Sequence, residues 1–98
     1  MDKERVIETL RLHQAGLHER GVTHAALFGS VARGDNTPES DVDIMIELDL
    51  ERISGVFDYV EIIQYIQDLF PCPVDVSNKK KLHPYIKPNA LKESIHAF

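Results

Sequence analysis

The chain has 98 residues, 43% of them hydrophobic and 28% charged, with a formal net charge of −5. That balance predicts one folded domain over residues 1–98, and it excludes both a disordered chain and a protein that grips a nucleic-acid backbone unaided. No apolar run approaches the roughly 18 residues of a membrane helix, Met1-Asp2-Lys3-Glu4-Arg5 begins no signal core, and the lone Cys72 precludes an internal disulfide, so a cytoplasmic protein without membrane contact is expected.

In chain order, residues 3–19 predict an amphipathic helix, with Val6, Leu10 and Leu17 on one stripe and Ile7 beside it. Gly21 stands where a helix-ending glycine belongs. The apolar run Ala25-Ala26-Leu27-Phe28 predicts a short buried strand that stops at Gly29-Ser30. Val31-Ala32-Arg33 follows as one helical turn with Ser30 as its N-cap, and residues 34–40, with Asn36 and Pro38, read as a loop.

From Asp41 to Leu48 apolar and polar residues alternate, the pattern of a half-buried strand. Val42, Ile44, Ile46 and Leu48 share one face; Asp41, Asp43, Met45 and Glu47 share the other. A second amphipathic helix is predicted over residues 56–70, with stripes through Val56, Val60, Ile63 and Phe70 and through Tyr59, Ile62, Ile66 and Leu69. Pro71 and Pro73 end it, Val74-Asp75-Val76 is a short strand, and Pro88 opens a final short helix. The elements predict an α/β (α+β) sandwich, a small sheet with helices packed on one face and carboxylates on the other. So thin a core leaves room for a partner subunit, in a homo- or hetero-oligomer, to add stability.

Charge is distributed unevenly. Between Gly34 and Glu51 stand Asp35, Glu39, Asp41, Asp43, Glu47, Asp49 and Glu51 with no Lys or Arg, whereas the last segment holds Lys79, Lys80, Lys81, Lys87 and Lys92. A concentrated acidic patch repels itself, and a divalent cation relieves it. Asp41 and Asp43, two apart on a strand, leave the same face with Cα atoms about 6.5–7 Å apart. Mg²⁺ takes oxygen ligands, commonly one or two carboxylates plus substrate phosphates. The competing reading is a solvated sheet face that happens to be acidic. Upstream, a strand that turns into a helix at Gly29-Ser30 offers free N–H groups and a hydroxyl to a phosphate, and Arg33 lies one turn on. Gly-Ser alone is an ordinary turn; with Asp-x-Asp one loop away it forms a two-part site for a metal–nucleotide complex. The five histidines have no metal-ligand spacing, Cys72 reads as packing, and Lys79-Lys80-Lys81 reads as a solvated run.

The runs Gly29-Ser30-Val31-Ala32-Arg33-Gly34 and Ser40-Asp41-Val42-Asp43-Ile44 resemble the signature of the DNA polymerase beta-like nucleotidyltransferase superfamily. The likeness is strongest to the minimal nucleotidyltransferases of bacteria and archaea, and it extends through Pro73-Val74-Asp75-Val76 and Leu82-His83-Pro84-Tyr85-Ile86. This resemblance implies that Asp41 and Asp43 coordinate two Mg²⁺ ions, that Asp75 completes an acidic triad, and that Gly29 and Ser30 hold the triphosphate. It implies transfer of a nucleoside monophosphate, AMP from ATP, to a hydroxyl acceptor. Minimal members often act as antitoxins beside a HEPN toxin, so a HEPN-type partner protein is the implied acceptor. A catalytically silent module that neutralises its partner by contact alone is the alternative.

Overall fold

The computed structural model describes residues 1–98. The N-terminal pattern forms two helices, α1 (Lys3–Leu12) and α2 (Gln14–Glu19), rather than the continuous one expected. The break falls at His13, whose ring Nδ1 lies 2.9 Å from the Thr9 carbonyl oxygen and competes with its own backbone N–H for that acceptor. Asp2 caps α1 by accepting the Arg5 N–H at 2.9 Å. The predicted stripe holds: Val6, Ile7, Leu10 and Leu17 are all buried.

Strand β1 (Val22–Phe28) is three residues longer than its apolar run suggested. A bulge between Val22 and His24 explains the difference. The extra residue resets the alternation, so Val22 joins Ala25 and Leu27 in the core although His24 and Ala26 face away. Helix α3 (Gly29–Arg33) follows at once, and Gly34 ends it in the left-handed conformation with φ 82°. Its N-cap is Phe28, not Ser30, which lies inside the first turn.

Strand β2 (Val42–Leu48) pairs antiparallel with β1 and parallel with β3 (Val74–Asn78). Parallel neighbours need a long crossover, and α4 (Val56–Asp68) supplies it. A 3-10 turn at Lys79–Lys81, helix α5 (Lys87–Glu93) and a two-residue strand, β4 (Ile95–His96), complete the chain. The sheet order is β3-β2-β1-β4. Pro88 sits in the first turn of α5 as expected; β4, too short to leave a pattern, was not anticipated.

The main core lies between one sheet face and helices α1, α2 and α4, with Leu10, Leu17, Leu27, Ile44, Ile46, Ile62 and Ile66 fully buried. On the opposite face α5 lays Ala90 against Ala26 and Met45, a second small apolar cluster that the expected one-sided packing did not include. The two predicted stripes of α4 are used unequally. Ile62 and Ile66 of one are buried, whereas of the other only Phe70, just past the helix end, is buried and Val56 and Val60 remain 67% and 54% exposed. No helix is long and apolar enough to cross a membrane.

This burial pattern sets a contrast that denaturant unfolding can read. Truncating Ile44 to Ala removes a fully buried side chain and should cost about 2–5 kcal/mol. Val60→Ala, at an exposed position, should stay within about 0.5 kcal/mol.

Candidate active site

The chemistry-bearing residues gather where β1 ends and β2 and β3 begin. Asp43 is the register partner of Phe28 on one side and of Asp75 on the other. Neighbouring strands lie about 4.8 Å apart, so the Asp43 and Asp75 carboxylates leave the same face as immediate neighbours. Val42, Ile44, Val74 and Val76 alternate with them into the core and fix that orientation.

A cavity of about 470 Å³ opens over this pair. Gly29, Ser30 and Arg33 line it from α3, Asp43 from β2, Asp75 and Ser77 from β3, and Asn89, Ala90 and Glu93 from α5. Asp41, just before β2, is exposed and stands outside this lining. It is still near enough to act on Asp43 electrostatically. Burial, then the negative charge of Asp75, then that of Asp41 push the Asp43 carboxyl above its ordinary 3.8, and Arg33 opposes them.

Gly29 is required by the same crowding. Its φ is +75°, a conformation that side chains with a Cβ rarely adopt. A Cβ there would also run into the Asp43 side chain, with Cγ at 3.1 Å and Cβ at 3.2 Å. The turn therefore lets the backbone of α3 lie against the carboxylate. Phe28 offers α3 no side-chain cap, so the first-turn N–H groups lack both an intrahelical and a capping acceptor.

Arg33 is held rather than free. Its Nε donates to Asp35 at 3.0 Å and its Nη1 to Glu93 at 2.9 Å, and both carboxylates raise its already high pKa. The second bond ties α3 to α5 across the cavity. Lys79 leaves the solvated run to pair with Glu47 at 3.7 Å.

The donor set suits a divalent cation with a phosphate-bearing substrate. Asp43 and Asp75 are adjacent oxygen donors whose mutual repulsion Arg33 only opposes, and the uncapped first turn of α3 lines the same cavity. No three acidic, His or Cys side chains already stand in a metal-holding group. Two carboxylates plus substrate oxygens meet the coordination habit of Mg²⁺ without a third. Ser77, Asn89 and Glu93 escaped the sequence reading. Ser77 was accessible in principle, because it follows Asp75 by two residues on a strand. Asn89 and Glu93 depend on where α5 packs, which no local pattern reveals.

Comparison with known proteins points one way. A family model described as a nucleotidyltransferase domain matches residues 10–96. A protein of Methanocaldococcus jannaschii, provisionally named a protein adenylyltransferase, is 40% identical over 91 residues, covering 91% of each chain. The protein adenylyltransferase MntA of Thermococcus cleftensis is 33% identical over 95% of this chain and 93% of its own. A solved structure described provisionally as a minimal nucleotidyltransferase superposes with a TM-score of 0.69, at 27% identity over 97% of this chain and 95% of the other. A toxin-antitoxin structure with AMP-PNP shares the fold, with a TM-score of 0.66 at 17% identity over 100% of this chain and 73% of the other.

Two outcomes follow from the crowding at Asp43. Gly29→Ala should destabilise by about 1–3 kcal/mol through its positive φ and displace the carboxylate, read by thermal melts. The second concerns charge. An acid whose folded pKa is raised binds its proton more tightly when folded. Its contribution is full below the unfolded value near 3.8 and is lost as pH rises through the raised folded value. At neutral pH without divalent ions, ionised Asp43 is therefore a liability, and Asp43→Asn should raise Tm. Added Mg²⁺ should stabilise the wild type and leave that variant less affected.

Proposed function

Because this chain belongs to the nucleotidyltransferase domain family, we propose that it is an Mg²⁺-dependent enzyme that moves AMP from ATP to a hydroxyl on a partner protein. The observation that carries this reading is the cavity in which Asp43 and Asp75 face the open first turn of α3. The relatives named as protein adenylyltransferases support ATP as donor and a protein as acceptor.

In this reading Gly29 and Ser30 receive the triphosphate on the amides of α3. Asp43 and Asp75 would hold Mg²⁺ from the cavity, and Asp41, exposed beside it, would be the third carboxylate of the set. Bound Mg²⁺ supplies Lewis-acid stabilisation of phosphate charge and lowers the pKa of the attacking hydroxyl. Arg33 keeps α5 over the site through Glu93 and adds positive potential near the phosphates. The acceptor oxygen forms the new bond to the α-phosphorus, pyrophosphate leaves, and the hydroxyl proton goes to water. The protein's share is positioning and electrostatics, with no covalent intermediate. A HEPN-type toxin, as the antitoxin role implies, is the partner we propose.

The contact-only reading separates cleanly from this one. With α-phosphate-labelled ATP, Mg²⁺ and a purified HEPN-type partner, wild type should label the partner. Asp43→Ala should lower transfer by at least about 10³-fold, equivalent to ~4 kcal/mol. A complex that forms without any transfer, and survives Asp43→Ala, would instead establish the silent module.

A further inference from the structure

A second cavity, of about 580 Å³, continues from the first: Ser77, Leu82 and Ile86 line both. It runs along edge strand β3 toward Asn78, between Leu50, Val56 and Tyr59 on one wall and Leu82 and Ile86 on the other. Several of its apolar side chains lack cover, with Leu50 and Val56 each 67% exposed and Ile86 52%. Its basic lining residues are Lys81 and His83, and it has no carboxylate, in contrast to the acidic cavity beside it.

We propose that this groove is the acceptor channel, and that it binds a segment of the partner protein in which apolar and acidic side chains flank the residue bearing the reactive hydroxyl. The proposal rests on the transfer reading above. Across the sheet the order is β1 with Gly29-Ser30 at its end, then Asp43 on β2, then Asp75 on edge strand β3, and from Asp75 the groove runs along the strands to the C-terminal ends of β2 and β3 at Leu48 and Asn78. Displacement at phosphorus puts the attacking and leaving oxygens roughly in line. If pyrophosphate departs toward α3, the acceptor arrives from the side of the carboxylates away from α3, and Ser77, two residues past Asp75, joins the cavity to the groove on that side. Asn78 lies three residues beyond Asp75, about 10 Å along the strand, a distance that one side chain and its backbone can span.

Lining chemistry selects the occupant. A nucleic-acid acceptor would need a cationic track for its backbone; here the wall is apolar, and Lys79 is already paired with Glu47. A polypeptide with apolar anchors fills such a groove, and an acidic neighbour would meet Lys81.

The test uses the isotope-labelled chain and reads backbone amide shifts by NMR, independent of turnover. The first probe is a synthetic acetylated peptide, Glu-Leu-Tyr-Leu-Glu-amide; the others are Mg²⁺ with a non-hydrolysable α,β-methylene ATP analogue, and a short oligoadenylate. The peptide should move Leu50, Val56, Asn78 and Leu82, and Leu50→Glu or Val56→Glu should weaken it about tenfold or more without changing analogue affinity. Both positions are exposed enough to keep the fold. Peptide shifts elsewhere, absence of peptide binding, oligoadenylate in the groove, or analogue shifts at Leu50 and Val56 would each overturn the assignment. Failure of the analogue to move Ser30 and Asp43 sinks the transfer reading and the in-line premise together, whereas a misplaced peptide sinks the groove alone.

Discussion

Parallel pairing of β2 with β3 sets Asp43 beside Asp75, and much of the molecule's local chemistry follows from holding two like charges there. Neither carboxylate can turn away, because the residues alternating with them are core. Val42 and Ile44 anchor β2, and Val74 and Val76 anchor β3. A one-residue slip of β3 would relieve the repulsion only by turning Val74 and Val76 off the core. Hydrophobic burial on one face thus enforces electrostatic strain on the other. That strain is the resource a metal–nucleotide complex can use, since binding it relieves a cost already met in the folded state.

Gly29 extends the same argument to the backbone. The Asp43 side chain occupies the space in which any other residue would carry its Cβ, so β1 can turn into α3 against the carboxylate only at a glycine. The short helix is then aimed by the strand it grows from, and its buried Val31 and Ala32 lock it to the core. On the remaining side, the Arg33–Glu93 bond and the Ala90 contact with Ala26 and Met45 bring α5 over the cavity. An exposed ion pair contributes little to stability alone. Here it acts with apolar packing, and the two together fix a wall of the site.

Much of this arrangement was legible in the sequence, and each failure has its own physical cause. Val6, Leu10 and Leu17 announced the first core stripe because helical period and burial coincide there. The motif residues Gly29, Ser30, Asp43 and Asp75 were all named, but the direct opposition of 43 and 75 was not, since strand register is a long-range property. The bulge near Thr23 hid the start of β1 by breaking its alternation. Ser30 read as a cap because hydroxyl residues favour that position; the glycine at 29 let the helix begin two residues sooner. In α4 the sequence shows two apolar stripes, and hydrophobicity alone does not say whether a stripe serves the core or an outside partner. Val56 and Val60 were assigned to the core and are not in it.

That misassignment bears on what kind of protein this is. A module that works by contact alone needs an exposed apolar surface, and Val56, Phe57 and Leu50 provide one. It does not need a cavity behind that surface lined with repelling carboxylates, a glycine turn pressed against them, and a capless helix start facing inward. Each of these features costs stability in the empty protein, and costs of this kind cluster where a fold is built to bind or transform something. The apolar groove and the acidic cavity share three lining residues, so the surface that suits a partner leads directly to the charges that suit a nucleotide. A chain whose carboxylates served no purpose would have no physical reason to keep the apolar groove and the acidic cavity joined.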